Sequence, residues 1–170
     1  MRVSVSGIDS VIRRINGTGG GITERVKQLI EKLAKIGLDV ATVKFAEARY
    51  DGTNDVQVST ERDGDNHCII HADGNAVAFI EFGTGVHFSE AHPEADRFGA
   101  IRGTYGHGLG KLDKWRYQGD PGTHGDLQDD PTLPHFGWVV TYGNPPARAM
   151  YDAGKEIRNK IEETVKEVFR

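Results

Sequence analysis

The stretch FIEFGTGVHF, residues 79–88, decides how the chain is read. With the preceding Ala-Val-Ala it makes an apolar run over 76–82, carrying the single acid Glu81 and stopped by Gly83-Thr84-Gly85. A short apolar run bounded by turn residues reads as a β-strand. Alternation then puts Val77, Phe79 and Glu81 on one face. Two strands precede it. Val56, Val58 and Thr60 alternate with polar neighbours, and HCIIHA (67–72) follows the turn signal Asp63-Gly64-Asp65. Asp73-Gly74-Asn75 is a second tight turn, so the three strands are expected to form an antiparallel meander. HFGWVVTY (135–142) is the expected fourth strand, with Phe136, Trp138, Val140 and Tyr142 sharing a face.

Two helices flank these strands. Ile22, Val26, Leu29, Leu33, Ile36, Val40 and Val43 recur at spacings of four and three, which predicts one long amphipathic helix over 23–50 with Thr23 as N-cap. Gly37 falls off that stripe and marks a bend or a close approach. Met150, Ile157, Ile161, Val165 and Val168, with Ala153 and Gly154 keeping the face small, predict a second helix over 147–169. Pro146 suits its first turn. A short amphipathic helix is expected over 8–15, ended by Asn16-Gly17 and the glycines that follow. The fold class is therefore α+β. A small antiparallel sheet of about four strands is packed by a long N-terminal and a C-terminal helix, and a long Gly/His/Asp-rich loop precedes the last strand. The organisation expected is one domain over 1–170, with an N-terminal arm over 1–21 and a loop insertion over 83–134.

Composition narrows function. At 170 residues the chain is long enough for a real core. A net charge of −4 argues against a general nucleic-acid binder, and no sequence-specific nucleic-acid contact is expected. The single Cys68 excludes an intramolecular disulfide and a Cys-rich zinc site, and reads as a small buried hydrophobe. No apolar run approaches membrane-spanning length, and the first residues lack the apolar core of a secretory signal, so a cytoplasmic site of synthesis and no membrane partner are expected.

The segment 83–134 holds ten of the 22 glycines and four of the seven histidines, without sustained periodicity, although KWRYQG (114–119) reads as a short ordered piece. Loops of such length are functional or disordered. His87, His92, His107 and His124 lie there among acids, but none has a recognised ligand spacing. His67 and His71 share a strand face about 13 Å apart, too far for one metal. GTYGHGLGK (103–111) lacks the P-loop's GK[ST] ending, since Leu112 follows Lys111. The acidic cluster Asp126, Asp129, Asp130 reads as a solvated loop tip, and no GxSxG elbow is present. The chain is thus not expected to be an enzyme, and neither catalytic residue, metal nor cofactor is expected. The alternative is a small metal-dependent hydrolase using the loop histidines and aspartates. A third reading is a stand-alone bacterial interaction domain.

The order of elements carries more weight than any one motif. FIEFGTG (79–85) ending a strand, a variable loop, then GNPPARAMYDA (143–153) opening the last helix resembles the HK97 gp10-like family of tailed-phage head–tail joining or tail-completion proteins. The resemblance covers the framework, roughly 23–85 and 135–170. It departs in the long loop and in PPARAM where a Pro-Arg-Pro-Phe type is commoner. It implies a non-enzymatic virion protein of the phage neck or tail end, of phage or prophage origin, present in host cytoplasm during assembly. The implied partners are the head-closure (stopper) protein and the tail terminator or tail tube, with a homo-oligomeric ring in the virion and a monomer when isolated. It also marks Glu81, Phe82, Gly83, Thr84, Gly85, Pro145, Pro146 and Arg148 as the structural and interface motif. Glu81, partly buried by alternation, needs a partner; Arg148 at the matching end of the other motif is the preferred one, the alternatives being solvent or a residue of a neighbouring subunit. Gly83 and Gly85 are expected to serve turns of positive φ.

Overall fold

A computed structural model describes residues 2–4, 21–48, 54–101, 103–105 and 111–170. The expected helix over 8–15, its glycine stop, His107 and the centre of the GTYGHGLGK run lie outside the described residues. The fold is α+β. In chain order it comprises β1 (Arg2–Ser4), α1 (Gly21–Glu47), β2 (Gln57–Asp63), β3 (His67–Asp73), α2 (Val77–Phe82), a 3-10 turn (Asp96–Phe98), β4 (Trp115–Tyr117), β5 (Gly125–Leu127), β6 (Val139–Thr141) and α3 (Ala149–Val168). Its strands form two three-stranded antiparallel sheets, β1-β3-β2 and β4-β6-β5. Contacts group the residues into two compact units, one of 1–43, 57–73 and 149–170, the other of 44–56 and 74–148.

In the first unit, α1 and α3 pack on the β1-β3-β2 sheet. The expected stripe holds at Val26, Leu29 and Leu33, which are almost fully buried. Beyond Leu33 it turns. Gly37 and Ala41 are buried, Ile36 and Val40 only half so, and Val43 is 54% exposed. The cause is a close approach at Gly37. A Cβ there would lie 2.5 Å from Ile157 Cδ1 and 2.6 Å from Ile70 Cδ1, so helix, helix and sheet approach closely over the glycine. Gly37 is thus on the buried face, a correction to its expected place beside the stripe. Thr23 lies inside the first turn of α1, not at its cap. In α3 the expected face is buried at Met150, Ala153, Gly154 and Ile157, but the helix starts at Ala149, two residues later than predicted, leaving Pro146 before its first turn.

The hairpin β2–β3 forms around the predicted turn, in continuous register from Gln57↔Asp73 to Asp63↔His67. Cys68 sits half-buried in β3 as a free thiol, and burial pushes its pKa up. His71 Nε2 lies 2.9 Å from Glu61 Oε2 but is not aligned for a hydrogen bond.

The second unit overturns the expected third strand. Residues 77–82 are helical, and Val77, Ile80 and Glu81 are buried at helical spacing while Phe79 is 40% exposed. The physical reason is a cap from outside the segment. The Asp55 carboxylate accepts the Asn75 N–H at 2.8 Å, in the turn before the helix, and the Ala76 N–H at 3.1 Å, one of the donors that a helix start leaves open. These bonds hold the Asp55 carboxyl below its ordinary range. The expected fourth strand exists only as Val139–Thr141 and pairs with β4 and β5, not with the hairpin. Its buried residues are Val139 and Thr141, the opposite face from the one predicted, and Phe136 is 57% exposed. The segment 83–134 is thus not one structureless loop. It contributes two strands and the 3-10 turn, and the ordered piece expected near Trp115 is β4.

Candidate functional site

The two motifs singled out in the sequence meet. Thr84 and Asn144 form an isolated antiparallel bridge, with Thr84 N–H donating to Asn144 O at 2.9 Å and Asn144 N–H to Thr84 O at 3.1 Å. Three and four residues on, the Ala147 N–H donates to Ile80 O at 2.9 Å and the Arg148 N–H to Glu81 O at 3.3 Å. The segment leading into α3 is therefore hydrogen-bonded to the last turn of α2 and the residues after it. These bonds take up carbonyls that a helix C-terminus leaves open.

Glycines allow this approach. Gly83 has φ 80° and Gly143 φ 85°. A Cβ on Gly83 would lie 2.6 Å from Asn144 O, and one on Gly143 would lie 2.2 Å from Thr84 O. Gly85, at φ 73°, is buried against the Trp115 ring and Tyr142 O. The expected positive φ at Gly83 and Gly85 is present. Pro146 is buried and Pro145 half-buried beside this clasp.

Glu81 is fully buried, with no exposed side-chain surface. Its expected partner is corrected. Glu81 Oε1 meets His92 Nε2 at 3.0 Å, and that imidazole is equally buried. Glu94 N–H donates to His92 Nδ1 at 3.1 Å. Nδ1 is therefore the accepting nitrogen, and the ring hydrogen on Nε2 points at the carboxylate. Phe82 packs edge-on against the same ring, centroids 4.5 Å apart, and Phe98 tilts against Phe82 at 5.7 Å. The Arg148 guanidinium instead meets Glu90, Nη2 to Oε2 at 3.1 Å, at a part-exposed site. Only the Arg148 backbone reaches Glu81. Arg148 has φ 56°, a left-handed conformation that costs a non-glycine residue about 1–2 kcal/mol, and its Nε is buried with no hydrogen-bond partner among the described residues.

Other chemistry-bearing groups are dispersed. His87 lies 3.3 Å from Asp113 and tilts against Tyr142 at 4.8 Å, while Phe88 meets His124 edge-on at 5.6 Å. Tyr105 stacks near Phe79 at 6.2 Å, and burial pushes its hydroxyl, which has no hydrogen-bond partner among the described residues, up to about 12. Among the described residues, no three His, Cys, Asp or Glu side chains gather as a metal-binding group. Asp126 is exposed on β5, and Asp130 accepts from the Thr132 amide and hydroxyl, a turn role. Those bonds hold its carboxyl below the ordinary range. Among the described residues no helix is long and apolar enough to cross a membrane.

The residues that sequence reasoning missed are His92, Glu90 and Asp55. His92 lies in a loop without periodicity. The one local signal is the following Pro93, which restricts the backbone of the residue before it. No protein-family model, curated protein or solved structure matches this chain.

Proposed function

We propose that this chain is a structural component of a tailed-phage or prophage virion, a head–tail joining or tail-completion protein that acts by docking. One observation carries the reading. The two segments that resemble the gp10-like neck family, 79–85 and 143–153, bond directly through Thr84 and Asn144, which lie 60 positions apart. Segments that mark a family by recurring together have a physical reason to do so when they form one clasp. Glu81, the motif's only acid, is spent inside that clasp on His92 and is closed to solvent. A fully desolvated carboxylate with a fitted partner suits a framework better than a site that must meet substrate.

Docking also needs anchors. Exposed large apolar residues cluster in sequence between the motifs, with Leu112, Leu127, Leu133 and Phe136 all at least half exposed. Leu133 and Phe136 stand on the β5–β6 connection, where every residue from 129 to 137 is exposed. Apolar side chains held out on a connection of this kind fit an interface that a neighbour covers.

The test is deletion of the gene from the phage or prophage that carries it. Electron microscopy is expected to show filled heads and separate tails, infectivity is expected to be lost, and the gene supplied in trans restores both. Mass spectrometry is expected to find the chain in purified particles. Normal yields of infectious particles without the chain would sink the reading.

A further inference from the structure

Among the described residues, no strand pairs with the outer edge of β2. β2 ends the β1-β3-β2 sheet, and its seven residues pair with β3 in unbroken register. Six of the seven are exposed. Among the described residues, none bonds to the backbone of β2 on its outer side. Proteins blunt such edges with proline, a bulge, a very short strand, a covering loop or charged side chains, and of these β2 carries only the charges Glu61, Arg62 and Asp63. β2 has no proline and no bulge, and it is longer than the average strand.

We propose that this edge pairs with the same edge of a second copy of the chain, antiparallel, across a two-fold axis centred on Thr60. The side chains select both the occupant and the register. A two-fold normal to the sheet keeps each face on its own side, so facing residues must share parity and the axis must pass through a residue. Centring on Thr60 sets Gln57 against Asp63, Val58 against Arg62, Ser59 against Glu61, and Thr60 against itself. All seven residues pair, and both acids face a neutral side chain that donates hydrogen bonds. Centring on Glu61 or Arg62 sets that charge against its own copy, and the latter also sets Glu61 against Asp63. Centring on Ser59 or Val58 pairs only five or three residues of the strand. One register therefore satisfies length and charge together. It would form about six to eight backbone hydrogen bonds between copies and join two sheets into one of six strands. This pairing is isologous, and it is independent of the head–tail reading, since it uses none of the residues of the clasp or of the β5–β6 connection.

Sedimentation velocity on the full chain over a concentration series tests it, with Ser59 and Thr60 variants. The native chain is expected to pass from monomer to dimer. Ser59→Asp places two like-charged pairs in each dimer and is expected to weaken it about tenfold. Ser59→Lys places two opposite pairs there and is expected to tighten it. Ser59 is exposed, so both variants should fold, which circular dichroism checks. In a Cys68→Ser background, Thr60→Cys is expected to cross-link as a dimer on mild oxidation, because facing Cα atoms in an antiparallel pair lie within disulfide reach. Gln57→Cys is not, since its counterpart would be about 20 Å away. A chain that stays monomeric, a dimer indifferent to both Ser59 variants, or equal cross-linking at 57 and 60 overturns the proposal.

Discussion

Removing the imidazole of His92 tests what Glu81 is for. His92→Ala takes away the donor that faces Glu81 Oε1 at 3.0 Å and the acceptor of the Glu94 N–H at 3.1 Å. Both side chains are fully buried, so water cannot replace the lost ring without opening the fold. Breaking a buried pair by removing one member costs about 3–5 kcal/mol, mostly from the carboxylate left behind. In a chain of this size each kcal/mol moves the midpoint by about 2–4 °C, so His92→Ala is expected to lower it by about 6–20 °C. Glu81→Gln keeps an oxygen that can accept the Nε2 hydrogen and is expected to cost about 1 kcal/mol. Arg148→Ala removes a part-exposed pair with Glu90 and is expected to cost less than about 1 kcal/mol. Urea unfolding followed by circular dichroism measures all three, and a His92→Ala/Glu81→Ala double-mutant cycle is expected to return a coupling above about 1 kcal/mol. Loss of less than about 1 kcal/mol in His92→Ala, or equal damage from Arg148→Ala, refutes the assignment of Glu81 to His92.

Further outcomes follow from single contacts. Gly83→Ala should cost several times as much as Gly64→Ala, although both glycines have positive φ, because only at Gly83 would the Cβ meet backbone, at 2.6 Å. Thermal melts of the two variants compare them directly. Asp55→Asn should lower the midpoint at neutral pH. The Asp55 carboxyl is held low by the amides of Asn75 and Ala76, so its contribution is present above the unfolded aspartate value of about 3.9 and is lost as pH falls through the lower folded value. The gap between variant and native midpoints should therefore close in acid below about pH 4. Leu133→Asp with Phe136→Asp should leave the melting midpoint within about 0.5 kcal/mol equivalent of native, since both positions are exposed, while failing to restore particle assembly in trans.

The sequence foretold the long elements and misread the short ones, for reasons visible at particular residues. Over its first half α1 carries enough helical repeats, from Val26 to Leu33, that its period is unmistakable, and α3 repeats from Met150 to Ile157. The β2–β3 hairpin is announced by Asp63-Gly64-Asp65. Residues 76–82 are too few for period two and period 3.6 to be told apart. The decision falls to Asp55, whose carboxylate reaches amides 20 and 21 positions ahead, and no local pattern encodes that reach. β6 was legible as a strand but not in facing, because its partners Trp115–Tyr117 and Gly125–Leu127 are three-residue strands in a segment with no repeat. The need of Glu81 for a partner followed from burial alone. The identity of that partner did not, since His92 lies in a loop segment without repeat, 11 positions from Glu81. At Gly37 the close approach was legible, but its place on the buried face was not, since a residue with no side chain leaves no apolar signal.

The clasp has a consequence for how this chain can change over generations. Thr84 and Asn144 are bonded to each other, so the 59 residues between them leave and re-enter the frame at a single point. Lengthening such a closed excursion adds entropy only logarithmically, about 0.6 kcal/mol per doubling. Its exposed connections, such as 129–137, can therefore be shortened or extended, while Gly83, Gly143 and the buried Glu81–His92 contact, whose His92 itself lies within the excursion, keep the doorway shut.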